Sequence, residues 1–177
     1  VTVRDTKAPE ITVPLDVTVQ CNGQYTTRSF TCNAGLGQYA PTVAQYSVNG
    51  VNTGIATAVD NCAPNQFICI EFTETFTPGS CGFTGLITRT WTATDPCGNR
   101  SQGVQRITIV DTTPPSFTCQ DITVNLDATG NVTISAGQLI VGGIAAVVEN
   151  CSATNQITFQ LSKSQFNCTN IGVNQVL

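Results

Sequence analysis

Leu86-Ile-Thr-Arg-Thr-Trp-Thr-Ala-Thr94 alternates with period two: Ile87, Trp91 and Ala93 share one side, and Thr88, Thr90, Thr92 and Thr94 take the other. Residues two apart line the same face of a strand, so the run reads as a half-buried β-strand with a threonine-coated outer surface. Trp91 shares its side with apolar residues, which makes it a core residue and not a sugar platform. Working outward, the same alternation marks strands at 55–59, 67–76 and 104–110, separated by Gly, Pro and Asn turns. Ile68, Ile70 and Phe72 share a face. The segment 10–20 reads as a first strand broken near Pro14. No amphipathic helix of useful length appears, and the chain is expected to be all-β.

Two phrases recur. Gly54-Ile-Ala-Thr-Ala-Val-Asp-Asn-Cys62 returns as Gly143-Ile-Ala-Ala-Val-Val-Glu-Asn-Cys151, and Asp5-Thr-Lys-Ala-Pro9 returns as Asp111-Thr-Thr-Pro-Pro115. Repetition at a fixed order predicts tandem modules of roughly 100 residues, each an immunoglobulin-like β-sandwich of about seven strands. Residues 1–6 read as the end of a preceding module and its linker, because Val1-Thr-Val-Arg-Asp5 resembles Ile107-Thr-Ile-Val-Asp111. Residues 7–111 form a complete module and 112–177 an incomplete one. The second unit is expected to contribute strands at 121–126, 131–135 and 157–161, and to lack two more. Either the chain is a fragment, or a neighbouring chain supplies the missing edge. The stretch 22–53 is an insertion in the first module, rich in Gly, Asn and Gln, and holds Tyr25, Tyr39 and Tyr46. It reads as a surface hairpin pinned by Cys32, with a ligand-binding loop as the alternative.

Composition narrows the function. Net charge is −4, and Lys7 and Lys163 are the only lysines, so there is no basic stripe for nucleic acid or anionic membranes. Histidine is absent, which removes the commonest general base and imidazole ligation, and with them most enzymatic readings. Glu71 and Glu74, three apart on one strand, face opposite sides and cannot act as a paired-carboxylate hydrolase. No organic cofactor is implied. Asp16, Asp121 and Asp127 read as solvated strand-edge charges.

Asp5, Asp60, Asn61, Asp95 and Asn99 belong to a linker and two loops that this topology gathers at one end of the first module. Their carboxylate and amide oxygens suit calcium, which takes six to eight oxygen ligands. Asp111, Glu149 and Asn150 offer the start of a similar shell at the second junction. Asp and Asn also form turns without metal, which is the alternative.

Nine cysteines without a CxxC pair suit an oxidising compartment. Matching spacing in the two modules pairs Cys62 with Cys81 and Cys151 with Cys168. Cys69 alternates out of phase with the apolar face and could pin the insertion through Cys32, one choice among the fifteen connectivities that six cysteines allow. Cys21 with Cys97 remains, and Cys119 is left over.

The phrases Ala58-Val-Asp-Asn-Cys62, Thr88-Arg-Thr-Trp-Thr-Ala-Thr-Asp-Pro-Cys-Gly-Asn99, Ile107-Thr-Ile-Val-Asp-Thr-Thr-Pro-Pro115 and Asp121-Ile-Thr-Val-Asn-Leu126 resemble hyalin-repeat (HYR-like) modules of large cell-surface proteins of Bacteroidetes-type bacteria, such as gliding-motility adhesins. The resemblance implies extracellular display, cell adhesion or filament building, and no catalysis. The expected function is a stalk or adhesive repeat stiffened by disulfides and inter-module calcium. Its partners would be neighbouring modules of the same polypeptide, and surface glycans or proteins. The alternatives are a glycan- or protein-binding module acting through residues 22–53, or an accessory domain of a secreted polysaccharide-degrading enzyme.

Overall fold

Pro14 has no N–H to donate to a ladder, and the first strand is divided around it. β1 (Glu10–Thr12) lies before the break and β2 (Val17–Gln20) after it, and the two join different sheets. The computed structural model describes residues 1–177, which form two compact units, Val1–Thr112 and Thr113–Leu177. Further along the first unit come β3 (Ser29–Phe30), β4 (Thr57–Val59), β5 (Cys69–Pro78), β6 (Gly85–Thr94) and β7 (Arg100–Val110). The second unit holds β8 (Asn131–Thr133) and β9 (Gln165–Asn167). The protein is mostly β, and its α-helices are two four-residue turns, α1 (Val43–Tyr46) and α2 (Ala136–Leu139).

In unit 1, β1 pairs antiparallel with β4, and a five-stranded sheet runs in the order β2-β7-β6-β5-β3. β5, β6 and β7 are antiparallel neighbours, whereas β2 lies parallel to the end of β7, with Val17 opposite Ile107 and Val19 opposite Ile109. Burial along β6 alternates without interruption from Gly85 to Thr94, with Ile87, Trp91 and Ala93 inward. Ile70, Phe72, Trp91 and Ala93 of the large sheet form one core with Phe30, Tyr46, Ala56 and Ile68, against which Ile11 and Ala58 of the small sheet pack. A Cβ on Gly103 would lie 2.4 Å from Val13 Cγ1, so a side chain is missing where the chain after β1 crosses β7 closely.

The insertion is part of this core. Tyr25 and Tyr46 are 8% and 6% exposed, and Tyr39 is half-buried with its ring 5.8 Å from and edge-on to that of Phe67. A binding loop presenting three tyrosines to a ligand is therefore not what the insertion builds. Two of the rings are spent on packing.

Unit 2 repeats the opening of unit 1 in abbreviated form. Ser116 bridges Val148 antiparallel through reciprocal hydrogen bonds of 3.0 and 2.9 Å, in the place where Glu10 faces Val59 in unit 1. β8 and β9 form a two-stranded sheet, and Ile134, Ile140, Val147 and Cys151 are buried. The segments 121–126 and 157–161, expected as strands, are not in strands. An isolated extended segment gains nothing from β-propensity unless a neighbour accepts its backbone hydrogen bonds.

The cysteines correct the pairing read from spacing. Cys32 and Cys69 are bonded, with Cα atoms 6.0 Å apart, and Cys21 and Cys151 are also in disulfides. Cys62, Cys81, Cys97 and Cys168 are exposed free thiols, so neither Cys62–Cys81, Cys151–Cys168 nor Cys21–Cys97 forms. Cys119 is a free thiol too. Equal spacing in sequence is not equal distance in space, and a disulfide needs Cα atoms within about 7 Å.

Candidate metal centre

The β6–β7 turn, Asp95-Pro-Cys-Gly-Asn99, supplies the first candidate ligand. Gly98 adopts φ 90°, a left-handed conformation that costs glycine nothing, and this closes the turn with the Asp95 and Asn99 backbones hydrogen-bonded at 3.1 Å. Asp95 is only 5% exposed. Its burial would raise its pKa, but hydrogen bonds from the Asn99 side chain and from the backbone N–H groups of Asn99, Cys97 and Gly98 outweigh that and hold it below the ordinary carboxylate value.

Asp60 follows β4. Its Oδ1 accepts the N–H groups of Cys62 and Ala63, each at 2.8 Å, which fixes the side chain across the turn. Its Oδ2 is buried and has no hydrogen-bond partner. Asp5 comes from the segment before β1, where its Oδ1 accepts the Lys7 N–H at 3.1 Å. Oxygens of Asp5, Asp60 and Asp95 all lie within 4.8 Å of one another. Three segments far apart in sequence thus converge on one point.

Oxygens this close could share one hard cation, and carboxylates carried on three separate segments would suit the flexible cage of calcium better than the strict octahedron of magnesium. The donor set is all oxygen, without a sulfur or imidazole to favour zinc. Asp60 Oδ2, orphaned and buried, is the atom that most needs a partner.

The remaining residues expected at this site divide. Asn99 turns its Nδ2 inward, donating to Asp95 Oδ2 at 2.8 Å and to the Asp5 carbonyl at 3.3 Å. It is a clamp between linker and turn, not an oxygen ligand. Asn61 is exposed. In the second set, Asp111 follows β7 in unit 1, while Glu149 and Asn150 lie in unit 2. Glu149 Oε1 accepts the N–H groups of Asn150 and Cys151 at 2.7 and 2.8 Å, a cap set one residue earlier than that of Asp60, which takes the N–H groups two and three residues on. Asp16 and Asp127, exposed as expected, also cap backbone: Asp16 accepts the Arg106 N–H at 2.7 Å, and Asp127 accepts those of Thr129 and Asn131.

A second cluster of ligand atoms, Cys32, Cys69 and Glu71, offers no metal site, because its sulfurs are joined to each other and Glu71 Oε1 accepts the Cys32 N–H at 2.9 Å. Beside it, a groove of about 540 Å³ is lined by residues including Tyr39, Phe67, Glu71, Asp95 and Arg100.

A buried polar network escaped the sequence reading. Arg89 points inward from β6, fully buried, and its Nε and Nη2 donate to Glu74 Oε1 at 2.8 and 2.6 Å. Its Nη1 donates to Thr53 Oγ1 at 2.7 Å, and the guanidinium lies over Phe72 with 4.8 Å to the ring centroid. The other Glu74 oxygen accepts the Tyr25 hydroxyl and, at 2.8 Å, the Arg28 N–H. Burial, and then Glu74, push the Tyr25 phenol well above its ordinary value. Gln105 Nε2 donates to the carbonyls of Leu15 and Thr53 at 3.0 and 2.6 Å. The signal was present in the alternation, since Arg89 has the parity of Ile87 and Trp91, and Glu74 that of Phe72.

No protein-family model, no curated protein and no solved structure matches this chain. No helix is long and apolar enough to cross a membrane.

Proposed function

We propose that the chain is a stalk or adhesive segment of a large extracellular surface filament, built from tandem immunoglobulin-like modules of the HYR-like kind and stiffened by disulfides and calcium. The observation that carries the reading is the convergence of Asp5, from the segment preceding the first strand, with Asp60 and Asp95 from two loops of the module that follows. Three carboxylates repel one another in the absence of a cation, so the segment would splay from the module. A bound calcium reverses that sign and ties them together. The work of such a protein is reach and stiffness, and it needs no cleft. The oxidised Cys32–Cys69 pair fits an oxidising exterior.

Isothermal titration with calcium is the test. Asp60→Asn keeps an oxygen for the Cys62 and Ala63 N–H groups but removes the charge that Oδ2 would give the ion, so it should weaken binding without disturbing the turn. Small-angle scattering in calcium and in chelator reads the stiffness. Absence of heat at millimolar calcium, with superimposable scattering profiles, would leave these residues as turn formers and end the stiffened-joint reading.

A second reading rests on the groove beside the insertion, where the half-buried Tyr39 and the exposed Phe67 stand next to Glu71 and Arg100. Aromatic edges with flanking charges suit a surface glycan or peptide. Tyr39→Ala would then abolish binding in a glycan array while leaving calcium binding intact.

A further inference from the structure

We propose that the groove beside the insertion binds a sugar that carries a carboxylate, a uronic acid residue of a polysaccharide, with Arg100 taking the carboxylate. The inference rests on the second reading above, in which this groove holds a glycan or peptide, and it names the ligand. The groove measures about 540 Å³, a volume suited to a small molecule or a short stretch of a chain. Part of its lining is the outward face of the large sheet, with Glu71 from β5, Thr94 from β6 and Arg100 from β7.

Each of these three side chains has bonding capacity that the protein leaves unused. Thr94 Oγ1 is buried and makes no hydrogen bond, which is costly unless a group enters to meet it. The exposed Arg100 side chain is engaged by no ion pair and no hydrogen bond. Glu71 spends Oε1 on the Cys32 N–H at 2.9 Å and keeps its other oxygen free of protein donors. The ladder fixes their spacing: Thr94 lies opposite Arg100 on one side and Cys69 on the other, and Glu71 is two residues along from Cys69. With strands about 4.8 Å apart and about 3.4 Å per residue, the Glu71 and Arg100 backbones are roughly 12 Å apart, with Thr94 between them. That leaves room for a sugar ring between the two head groups.

The ligand class follows from what each group can bind. A guanidinium without a partner suits a carboxylate, which it holds through two parallel hydrogen bonds. A carboxylate oxygen and a lone hydroxyl at the other end suit a ligand rich in hydroxyl groups. The exposed Phe67 and half-buried Tyr39 add an apolar wall. A uronate presents all three at once: a charge, neighbouring hydroxyls, and a ring face of C–H groups. A peptide fits less well, because strand addition needs unpaired backbone. Beside the groove that backbone is taken, since the Ile70 N–H donates to the Tyr39 carbonyl at 2.7 Å and β5 pairs with β6 along its whole length. Asp95 also lines the groove, but its carboxylate is engaged by Asn99 through the backbone N–H at 2.9 Å and Nδ2 at 2.8 Å. Arg100 is therefore the open charge that an incoming anion meets.

The test is isothermal titration of the full chain with trimers of galacturonate, glucuronate and mannuronate and with their carboxyl-reduced counterparts, in chelator so that no cation bridges sugar to protein. The proposal expects at least one uronate trimer to bind with a dissociation constant of about 1 mM or tighter, and its carboxyl-reduced counterpart to bind at least about tenfold more weakly. Arg100→Ala, at an exposed position where folding is not at risk, should produce the same loss, and Arg100→Lys a smaller one because the planar fork is gone. Thr94→Val should weaken binding severalfold without lowering the unfolding temperature, because the hydroxyl it removes is unpaired in the free protein. Equal binding of the carboxyl-reduced trimers, or uronate binding that Arg100→Ala leaves intact, would overturn the uronate assignment while the groove kept its glycan. Binding of a glutamate-rich peptide in place of every sugar would overturn it in favour of a peptide groove. If none of these probes binds, both the proposal and the reading it rests on are overturned.

Discussion

Arg89 carries a full charge on the inward face of β6, and Glu74 answers it from the adjacent strand with both side chains fully buried. Burying the two ions is costly, and the arrangement persists because the pair and its neighbours satisfy one another: Thr53 and Gln105 on the guanidinium, Tyr25 and Arg28 on the carboxylate. Removing one partner leaves the other charge stranded. Arg89→Met should therefore destabilise unit 1 by roughly 3–5 kcal/mol in guanidinium unfolding, and pairing it with Glu74→Gln should cost less than the sum of the two. A loss below about 1 kcal/mol would mean the network contributes little. Asp95 makes a separate prediction about pH. Its folded pKa lies below its unfolded one, so the stability it contributes is complete above the unfolded value near 3.9 and lost as pH falls through the folded value. Asp95→Asn should flatten that part of an unfolding-midpoint profile taken between pH 2 and 6. An unchanged profile would assign the acid sensitivity to other carboxylates.

At the scale of elements, the two sheets of unit 1 meet through residues chosen for size. Gly103 lets β7 pass under Val13, and a methyl group there would overlap Val13 Cγ1 at 2.4 Å. Backbone freedom is not the reason for this glycine, since the constraint is steric. Gly103→Ala should cost about 1–3 kcal/mol by forcing the crossing apart. Val13→Ala in the same chain should recover part of the loss, because the two changes share one contact. Thermal unfolding of the four members of that cycle decides it, and strict additivity would show that the strain lies elsewhere. The Cys32–Cys69 bond acts at the same scale, tying the insertion to β5 across a separation of 37 residues.

For the whole molecule, the proposed calcium binding would appear as stabilisation of the folded state. A ligand that binds only the folded chain adds about 2.7 kcal/mol at a hundredfold excess over its dissociation constant. Calcium should raise the unfolding temperature of the intact chain, and chelator should reverse the shift. The Asp60→Asn chain should show little of either. A melting temperature that ignores calcium in both chains would remove the cation from the account.

The sequence by itself determined what is local or repeated: the inward parity of Ile87, Trp91 and Ala93, the break at Pro14, the β character of the chain, and the recurrence of the phrases that contain Asp5 and Asp60. Period-two alternation writes the buried face directly into the order of residues. What only the tertiary structure decided concerns residues distant in sequence. It brought Asp5, Asp60 and Asp95 within reach of one point, turned the Asn99 amide nitrogen inward, bonded Cys32 to Cys69 while leaving Cys62, Cys81, Cys97 and Cys168 as thiols, and buried Tyr25 and Tyr46. It also left 121–126 unpaired despite a strand-forming sequence. Such outcomes turn on distance and on the presence of a partner, because a disulfide, a ligand shell or a ladder exists only when a second group arrives within bonding range.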